Sequence, residues 1–473
     1  MSFKMSKLFS VVRNVRITCT QKYFISWHQK LRYSSQNKDS PFYFEGQNVF
    51  SYKKARIPKA SDIVIIGGGI YGSSIAYWLK ERAPDSFSVM VIEKDPTFCQ
   101  SCTTLSVGGI RQQFSLPENI ELSMASAEFL RNVKSNLSLP GEDPPEIQYQ
   151  PNSYLFLATE DRVEQIKENN RLQKDLGAKV ELLTAKQLKE NFPWLNTDGI
   201  AIGSLGLENE GRFDPHSLLS AFQKKAIANG TAFVNGEVVG FKFKNYHEGE
   251  EPLVTVNYLL VKTDDGEIRE VEFSILVIAA GPSSGEIAKM LGIGTGKGIL
   301  QFPLPVQPRK RYVYFYHCPD GPTLDFPMLI DSSGAYATRE GLGGYYLAGK
   351  SPSESEEPDN NNLDVDHQYF DRCVWPLIAN RVPAFEALKV KSAWAGYYDY
   401  NYFDENGIVG CHPYYGNVIF ATGFSGHGIQ MAPAVGKAVM ELILDREYTS
   451  INLRNFGFQR IIEGIPLIEN HCV

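Results

Sequence analysis

The chain has 473 residues, of which 43% are hydrophobic and 21% charged, with a formal net charge of −7. This excludes a disordered chain and is enough for about two to three domains with their own cores. Seven cysteines, at 19, 99, 102, 318, 373, 411 and 472, are few and odd in number. That excludes a disulfide framework and points to a reducing compartment.

Residues 1–38 hold eight basic residues (Lys4, Lys7, Arg13, Arg16, Lys22, Lys30, Arg32 and Lys38) and no acid before Asp39. Such a basic, Ser-containing stretch reads as a mitochondrial presequence ending near Arg32-Tyr33-Ser34-Ser35. The other reading is a solvated basic arm. Without those eight residues, 39 basic face 54 acidic ones, a net of −15, so the body of the chain is a poor nucleic-acid binder. Residues 39–60 are polar and read as a linker.

Ile63-Val-Ile-Ile66 is β-branched without alternation, the pattern of a strand buried on both faces. A helix over Ile70–Arg82 and a strand over Ser88–Ile92 complete a βαβ unit. The uncharged run from Ile63 to Leu79 is 17 residues, just short of a membrane span, and its four glycines mark a turn within it. Membrane contact is therefore expected to be peripheral only.

Ser115-Leu-Pro-Glu118 has capping-box spacing and predicts a helix from Pro117 to about Val133. Residues 152–210 alternate strand and helix, with a second capping signal at Thr184–Gln187. Asp214-Pro215 caps a helix reaching Asn229. Residues 231–280 read as strands with a turn at Asp264-Asp265-Gly266. Residues 306–350 show strand alternation that puts Tyr312, Tyr314 and Tyr316 on one face. Ser351–Asn362 is an acidic surface loop. A strand at Asn417–Ala421 leads into a helix over Ile429–Leu444, and residues 446–473 are expected to pack loosely on the surface.

Gly67-x-Gly69-x-x-Gly72 lies between a predicted strand and helix, the context that a dinucleotide requires. Gly67 permits the tight turn, Gly69 lets the backbone approach a pyrophosphate, and Gly72 lets helix pack on strand. The helix N-terminus offers N–H groups and about half a positive charge to the phosphates. Glu93 closes the second strand, where an acid accepts the ribose hydroxyls of a non-phosphorylated nucleotide. These residues allow NAD or FAD. A second glycine turn, Gly423-Phe-Ser-Gly426-His427-Gly428, follows a buried strand and starts a helix. Its N–H groups suit the pyrimidine edge of a flavin, which favours FAD.

Two side chains are candidates for substrate chemistry. Arg111, after Ser106-Val-Gly-Gly-Ile110, either presents its guanidinium to a carboxylate or forms a surface salt bridge. His427 either acts as an acid or base or packs beside the ring and orients the backbone. Met431 behind it reads as core. Arg309-Lys310-Arg311 reads as a solvated strand edge. Trp394, Tyr397, Tyr398, Tyr400 and Tyr402 either line a cavity or pack in a hairpin. Cys99 and Cys102 form a C-x-x-C with no second pair for a metal, and read as unrelated thiols, the alternative being a redox pair.

The Gly67 loop with Glu93, Gly211-x-x-Asp214-Pro215, Ala279-Ala280-Gly281 and Gly423–Gly428 occur in an order that resembles the D-amino-acid oxidase family, which includes sarcosine oxidase, dimethylglycine dehydrogenase and glycine oxidase. The resemblance spans about residues 60–445. It implies a mixed α/β fold, a Rossmann-type FAD-binding domain with an inserted antiparallel-sheet substrate domain. The FAD domain would comprise 61–115, 211–305 and 392–445, and the substrate domain 116–210 and 306–391. Carried over, Gly67, Gly69, Gly72, Glu93, Gly281, Gly426 and Gly428 would contact FAD, and Arg111 would bind a substrate carboxylate. No cysteine lies between Cys373 and Cys411, where sarcosine oxidases attach flavin, so non-covalent FAD is expected. Their second carboxylate ligand, a Lys after the last glycine turn, is Gln430 here.

Leu105-Ser-Val-Gly-Gly, Gln112-Gln-Phe-Ser-Leu-Pro-Glu-Asn, Pro308-Arg-Lys-Arg-Tyr-Val-Tyr and Ser392-Ala-Trp-Ala-Gly-Tyr-Tyr-Asp-Tyr-Asn resemble a mitochondrial branch of that family whose members assist assembly of respiratory complex I. This implies a place in the matrix or on the matrix face of the inner membrane, with complex I subunits or assembly intermediates as partners. The alternative is an active oxidase or dehydrogenase of a secondary amine or amino acid.

Overall fold

The structure, a computed structural model, describes residues 57–243 and 255–470. The expected presequence and most of the expected linker lie outside the described residues. Along the chain run β1 (Ala60–Ile66), α1 (Ile70–Arg82), β2 (Val89–Glu93), β3 (Gly109–Ile110), α2 (Pro117–Arg131), β4 (Tyr154–Ala158), α3 (Val163–Asp175), β5 (Val180–Thr184) and α4 (Ala185–Asn191). Next come β6 (Ile202–Gly206), β7 (Gly211–Arg212), α5 (Pro215–Ala228), β8 (Ala232–Asn235), β9 (Glu237–Phe243), β10 (Val256–Lys262), β11 (Ile268–Ile278) and α6 (Ser284–Met290). The chain continues through β12 (Val306–His317), β13 (Met328–Ile330), β14 (Ala335–Glu340), β15 (Tyr345–Lys350) and α7 (Trp375–Arg381). It closes with β16 (Lys389–Asn401), β17 (Ile408–Cys411), β18 (Val418–Thr422) and α8 (Gly428–Leu444).

The strands form two large sheets. The first runs β17-β18-β11-β1-β2-β8, and β10 and β9 extend it from the first half of β11. Its centre is parallel: β1 pairs with β11 on one side and β2 on the other, and β11 pairs onward with β18. Alternate residues of β1 feed separate cores, Ile63 and Ile65 on one face and Val64 and Ile66 on the other. That is why the segment carries no polar alternation. Each fully buried aliphatic here contributes about 1.5–3 kcal/mol. The second sheet runs β16-β12-β15-β14-β13-β4-β6-β5 and is antiparallel except for the parallel pair β13–β4. The fold is thus the expected mixed α/β architecture.

α1 packs between α5 and α8. Small residues allow this: a Cβ on Gly436 would meet Ser74 Oγ at 2.1 Å. Ser74 Oγ donates to the Ala432 carbonyl at 2.9 Å, and Trp78 Nε1 to that of Pro433 at 2.8 Å. The Thr184–Gln187 capping box and the Asp214 cap form as the sequence predicts. Among the described residues no helix is long and apolar enough to cross a membrane.

Four expectations need correction. α2 begins at Pro117 with Leu116 as its cap, without a side-chain bond. Ser115 instead engages the chain terminus: its Oγ accepts from Asn470 N–H at 2.6 Å and its N–H donates to Glu469. Residues 446–470 are not loosely packed. Leu453, Phe456 and Phe458 are buried, and Arg460 forms a buried ion pair with Asp404 at 2.7 Å. Arg309-Lys310-Arg311 is not a solvated edge. Lys310 is buried, Arg311 and Arg309 both pair with Glu357 of the 351–362 loop, and Arg309 stacks over Tyr400 at 3.4 Å. Finally, β16 pairs with β12 from Lys389 to Asn401, so residues 392–401 belong to the second sheet. Conversely α2, expected in the substrate domain, shares the core of α1 and α8, with Ala434 N–H donating to Ser126 Oγ at 3.3 Å.

A candidate cofactor and substrate cavity

A cavity of about 1220 Å³ opens between the two sheets at the carboxyl ends of β1, β2 and β11. Ligands bind in such crevices in parallel α/β sheets. The β1–α1 turn forms its floor. Gly67 has φ +100°, and a Cβ there would lie 2.4 Å from the Ala279 carbonyl oxygen. Gly72 does not line the cavity; a Cβ on it would lie 1.9 Å from the Gly67 carbonyl, so its role is to bring α1 onto the turn. Gly69 caps α1 without a side-chain acceptor and borders the cavity, leaving the helix start available to an anion.

Glu93 ends β2 with both oxygens fixed by backbone amides, Oε2 by Gly68 at 2.7 Å and Oε1 by Asp95 at 2.8 Å. Burial pushes its pKa up, against the pull of those amides. Gly281, at φ +52°, follows β11 and has nothing within 4 Å of its absent Cβ.

The second glycine turn faces the first. Tyr71 of α1 stacks on Phe424 at 4.7 Å and donates through its hydroxyl to the Gly428 carbonyl at 2.8 Å. Gly426, φ +97°, lies so close to Tyr398 that a Cβ would meet the ring at 2.6 Å. Asp399 of β16 accepts from the Gly423 N–H at 2.8 Å and the Phe424 N–H at 3.3 Å through one oxygen. Burial pushes this carboxyl up to about 6. A floor of free backbone, an acid at the end of β2 and a second helix start fit an extended dinucleotide carrying a flavin.

Arg111 is 6% exposed and forms no ion pair among the described residues, which removes the surface salt-bridge reading. Its guanidinium lies over the rings of Phe114 at 4.6 Å and Phe156 at 4.9 Å, its Nε has no hydrogen-bond partner, and Nη2 lies 3.2 Å from His427 Nε2. Gln430 Oε1 accepts from the Arg111 backbone N–H at 2.8 Å. Gln430 thus holds the Arg111 backbone. Burial and the Arg111 charge push His427 down to about 3. A neutral imidazole of that basicity is a weak general base near pH 7, which favours the packing role. Met431 behind it is buried core.

Of the aromatic cluster, Tyr397, Tyr398 and Tyr400 line the cavity, Trp394 packs with its Nε1 bonded to the Leu105 carbonyl at 2.9 Å, and Tyr402 is exposed. Cys99 and Cys102 are free thiols, and Cys102 borders the cavity. Two residues escaped sequence reasoning. Asp399 could have been noticed as an acid inside an aromatic strand. Glu210 carried no local signal. It is buried, accepts from Gln112 N–H at 2.7 Å and Gln113 Nε2 at 2.8 Å, and burial pushes it up to about 7.

Residues 62–442 match the family described as DAO, FAD dependent oxidoreductase. The chain is 51% identical over 426 residues to FAD-dependent oxidoreductase domain-containing protein 1 of Xenopus laevis, covering 88% of this chain and 85% of that one. Among solved structures, L-proline dehydrogenase from P. horikoshii superposes with a TM-score of 0.72 at 29% identity, covering 87% of this chain and 100% of that one. Glycine oxidase from Geobacillus kaustophilus follows the same fold with a TM-score of 0.68 at 21% identity, over 85% and 99% of the two chains. The chain belongs to the DAO family of FAD-dependent oxidoreductases, and its cofactor is FAD.

Proposed function

We propose that the protein oxidises the carbon–nitrogen bond of a secondary amine or amino acid, in the mitochondrial matrix or on the matrix face of the inner membrane. One observation carries the chemistry: the buried guanidinium of Arg111 in the wall of the FAD cavity, which has no carboxylate partner among the described residues and whose Nε has no hydrogen-bond partner. FAD, when bound, would supply the two-electron oxidising chemistry. The chain's own contribution is orientation. Arg111 is fixed at its backbone by Gln430 and at its side chain by two aromatic rings, so it can hold a carboxylate in one place. The surrounding rings exclude water, which strengthens that contact. Anaerobic mixing with a panel of N-methyl and cyclic amino acids tests this: bleaching of the oxidised flavin band supports it, and an unchanged spectrum across the panel rejects it.

A second reading is a role in assembly or stability of complex I. Its support is the resemblance of segments 105–109, 112–119, 308–314 and 392–401 to the mitochondrial branch, together with the basic residues 1–38. Depletion in cells should lower assembled complex I. Rescue by Arg111→Ala would separate that role from turnover; failure to rescue would tie the two together.

A further inference from the structure

The cavity wall beside Arg111 is built by two neighbouring strands. In the parallel pair β4–β13, Tyr154 stands opposite Met328 and Phe156 opposite Ile330. These four side chains form one buried cluster, with Val107 and Tyr336 packed against it. Phe156 is also one of the two rings under the Arg111 guanidinium, so the cation sits at the foot of an aromatic and aliphatic wall. Tyr154, Met328, Ile330 and Tyr336 all face the cavity.

Two hydroxyl-bearing rings flank the same cation. Tyr154 Oη lies over Gly109, two residues before Arg111, so close that a Cβ there would be 1.8 Å from it. The Tyr398 ring lies against Gly426, next to His427, which touches Arg111. Burial pushes both phenols up and keeps them neutral, although Arg111 is close enough to each to favour its ionised form. Neither hydroxyl has a hydrogen-bond partner among the described residues, and both border the cavity. Arg111 itself keeps a buried Nε without a partner. A buried cationic N–H left without a partner is costly unless a ligand completes it, and the two hydroxyls open to the cavity can reach the same ligand.

We infer that this cavity selects a monocarboxylate bearing a large apolar substituent: Arg111, Tyr154 and Tyr398 hold the carboxylate, and Met328, Ile330 and Tyr336 receive the substituent. The inference rests on the proposed oxidation of an amine or amino acid and narrows its substrate class. Neutral phenol donors complete the carboxylate site beside Arg111, while Gln430 is engaged with the Arg111 backbone. Small carboxylates leave the apolar wall uncovered, and a second carboxylate would be buried against it without a partner.

Titration calorimetry on the FAD-loaded full chain tests this with acetate, phenylacetate and succinate at constant ionic strength. Phenylacetate should bind at least about tenfold more tightly than either of the others, since burying its ring removes apolar surface from water. Tyr154→Phe and Tyr398→Phe should each weaken phenylacetate by about tenfold with FAD content unchanged. Met328→Gln should narrow the ratio of phenylacetate to acetate while leaving acetate binding as it was. Acetate within twofold of phenylacetate, tighter binding of succinate, or no binding of any carboxylate would overturn the inference. Flavin reduction by an amine without a carboxylate, with none of these ligands bound, would overturn it alone and leave the oxidoreductase reading standing. Selective phenylacetate binding with no amine or amino acid reducing the flavin would uphold the pocket and reject the turnover.

Discussion

His427 Nε2 lies 3.2 Å from Nη2 of Arg111, and the pair is enclosed by Phe114 in edge contact with the imidazole. Burial and the neighbouring cation hold His427 at about 3, below its ordinary 6.5. A base whose folded pKa is depressed favours the native state above its unfolded pKa, and that preference is lost as pH falls from about 6.5 toward 3. Over that window the unfolded chain binds the extra proton. His412, held near 4 by burial, acts in the same direction. Replacing His427 with Asn should therefore flatten the fall of the urea midpoint between pH 7 and 4.5, relative to wild type. An unchanged slope would show that the imidazole is not held neutral.

Asp399 and Glu210 work in the opposite direction. Burial raises them to about 6 and about 7, so each stabilises the native state best when protonated and loses that contribution as pH rises through its folded pKa. Asp399→Asn removes a buried charge but also the acceptor shared by the Gly423 and Phe424 amides. The variant should gain stability at pH 8 relative to pH 5 when compared with wild type, while its FAD dissociation constant rises. Equal FAD affinity in variant and parent would show that the turn does not depend on this carboxylate.

The glycines of the first turn should separate in their effects. A Cβ on Gly72 meets backbone at 1.9 Å, so Gly72→Ala should destabilise the fold itself, by about 2–4 kcal/mol in denaturant titration. Beside Gly69 the only neighbour within 4 Å is Thr103 Oγ1 at 3.5 Å, so Gly69→Val should fold and yet lose FAD. A flavin-replete Gly69→Val protein would contradict the assignment of the turn.

The chain terminus makes a further prediction. Arg460 and Asp404 are almost fully buried as an ion pair, and Arg460 also donates to the Asn406 and Gly407 carbonyls at 3.1 and 3.0 Å. Removing one partner strands the other in the core. Arg460→Ala should lower stability by about 3–5 kcal/mol by denaturant titration, whereas Arg454→Ala, at an exposed position, should change it little.

Cys102 borders the cavity, but burial pushes its thiol well up, so it remains protonated and a poor nucleophile. Acid precipitation of the purified protein should release all flavin into the supernatant, with the protein mass equal to that of the bare chain. A mass higher by one flavin would show covalent attachment.

Much of the cofactor end was legible in the sequence because its chemistry is local. The turn at Gly67, the acid at Glu93 and the helix start at Gly428 each occupy a few consecutive residues whose spacing is dictated by backbone geometry. The substrate end was less so. Tyr154, Met328 and Tyr398 meet only because β4, β13 and β16 are brought together from distant parts of the chain, and Tyr154 and Met328 by themselves read as ordinary core residues. Arg111 was found as a candidate, but its burial, which decides between ligand and salt bridge, depends on Phe156 and His427 arriving from two distant segments beside the nearby Phe114. The same holds for Arg309 and Arg311, whose partner Glu357 lies on a loop that composition alone describes as solvated.

The bond from Tyr71 to Gly428 joins residues 357 positions apart. It closes the cofactor cavity with α8, which is made long after β1, α1 and β2. A nascent chain that has already formed β1, α1 and β2 therefore has one half of its nucleotide site and must wait for the rest. Flavin capture is in this sense a test that α8 has docked on α1. Chains cut short before residue 428 are expected to stay colourless, while chains that include α8 carry the yellow cofactor.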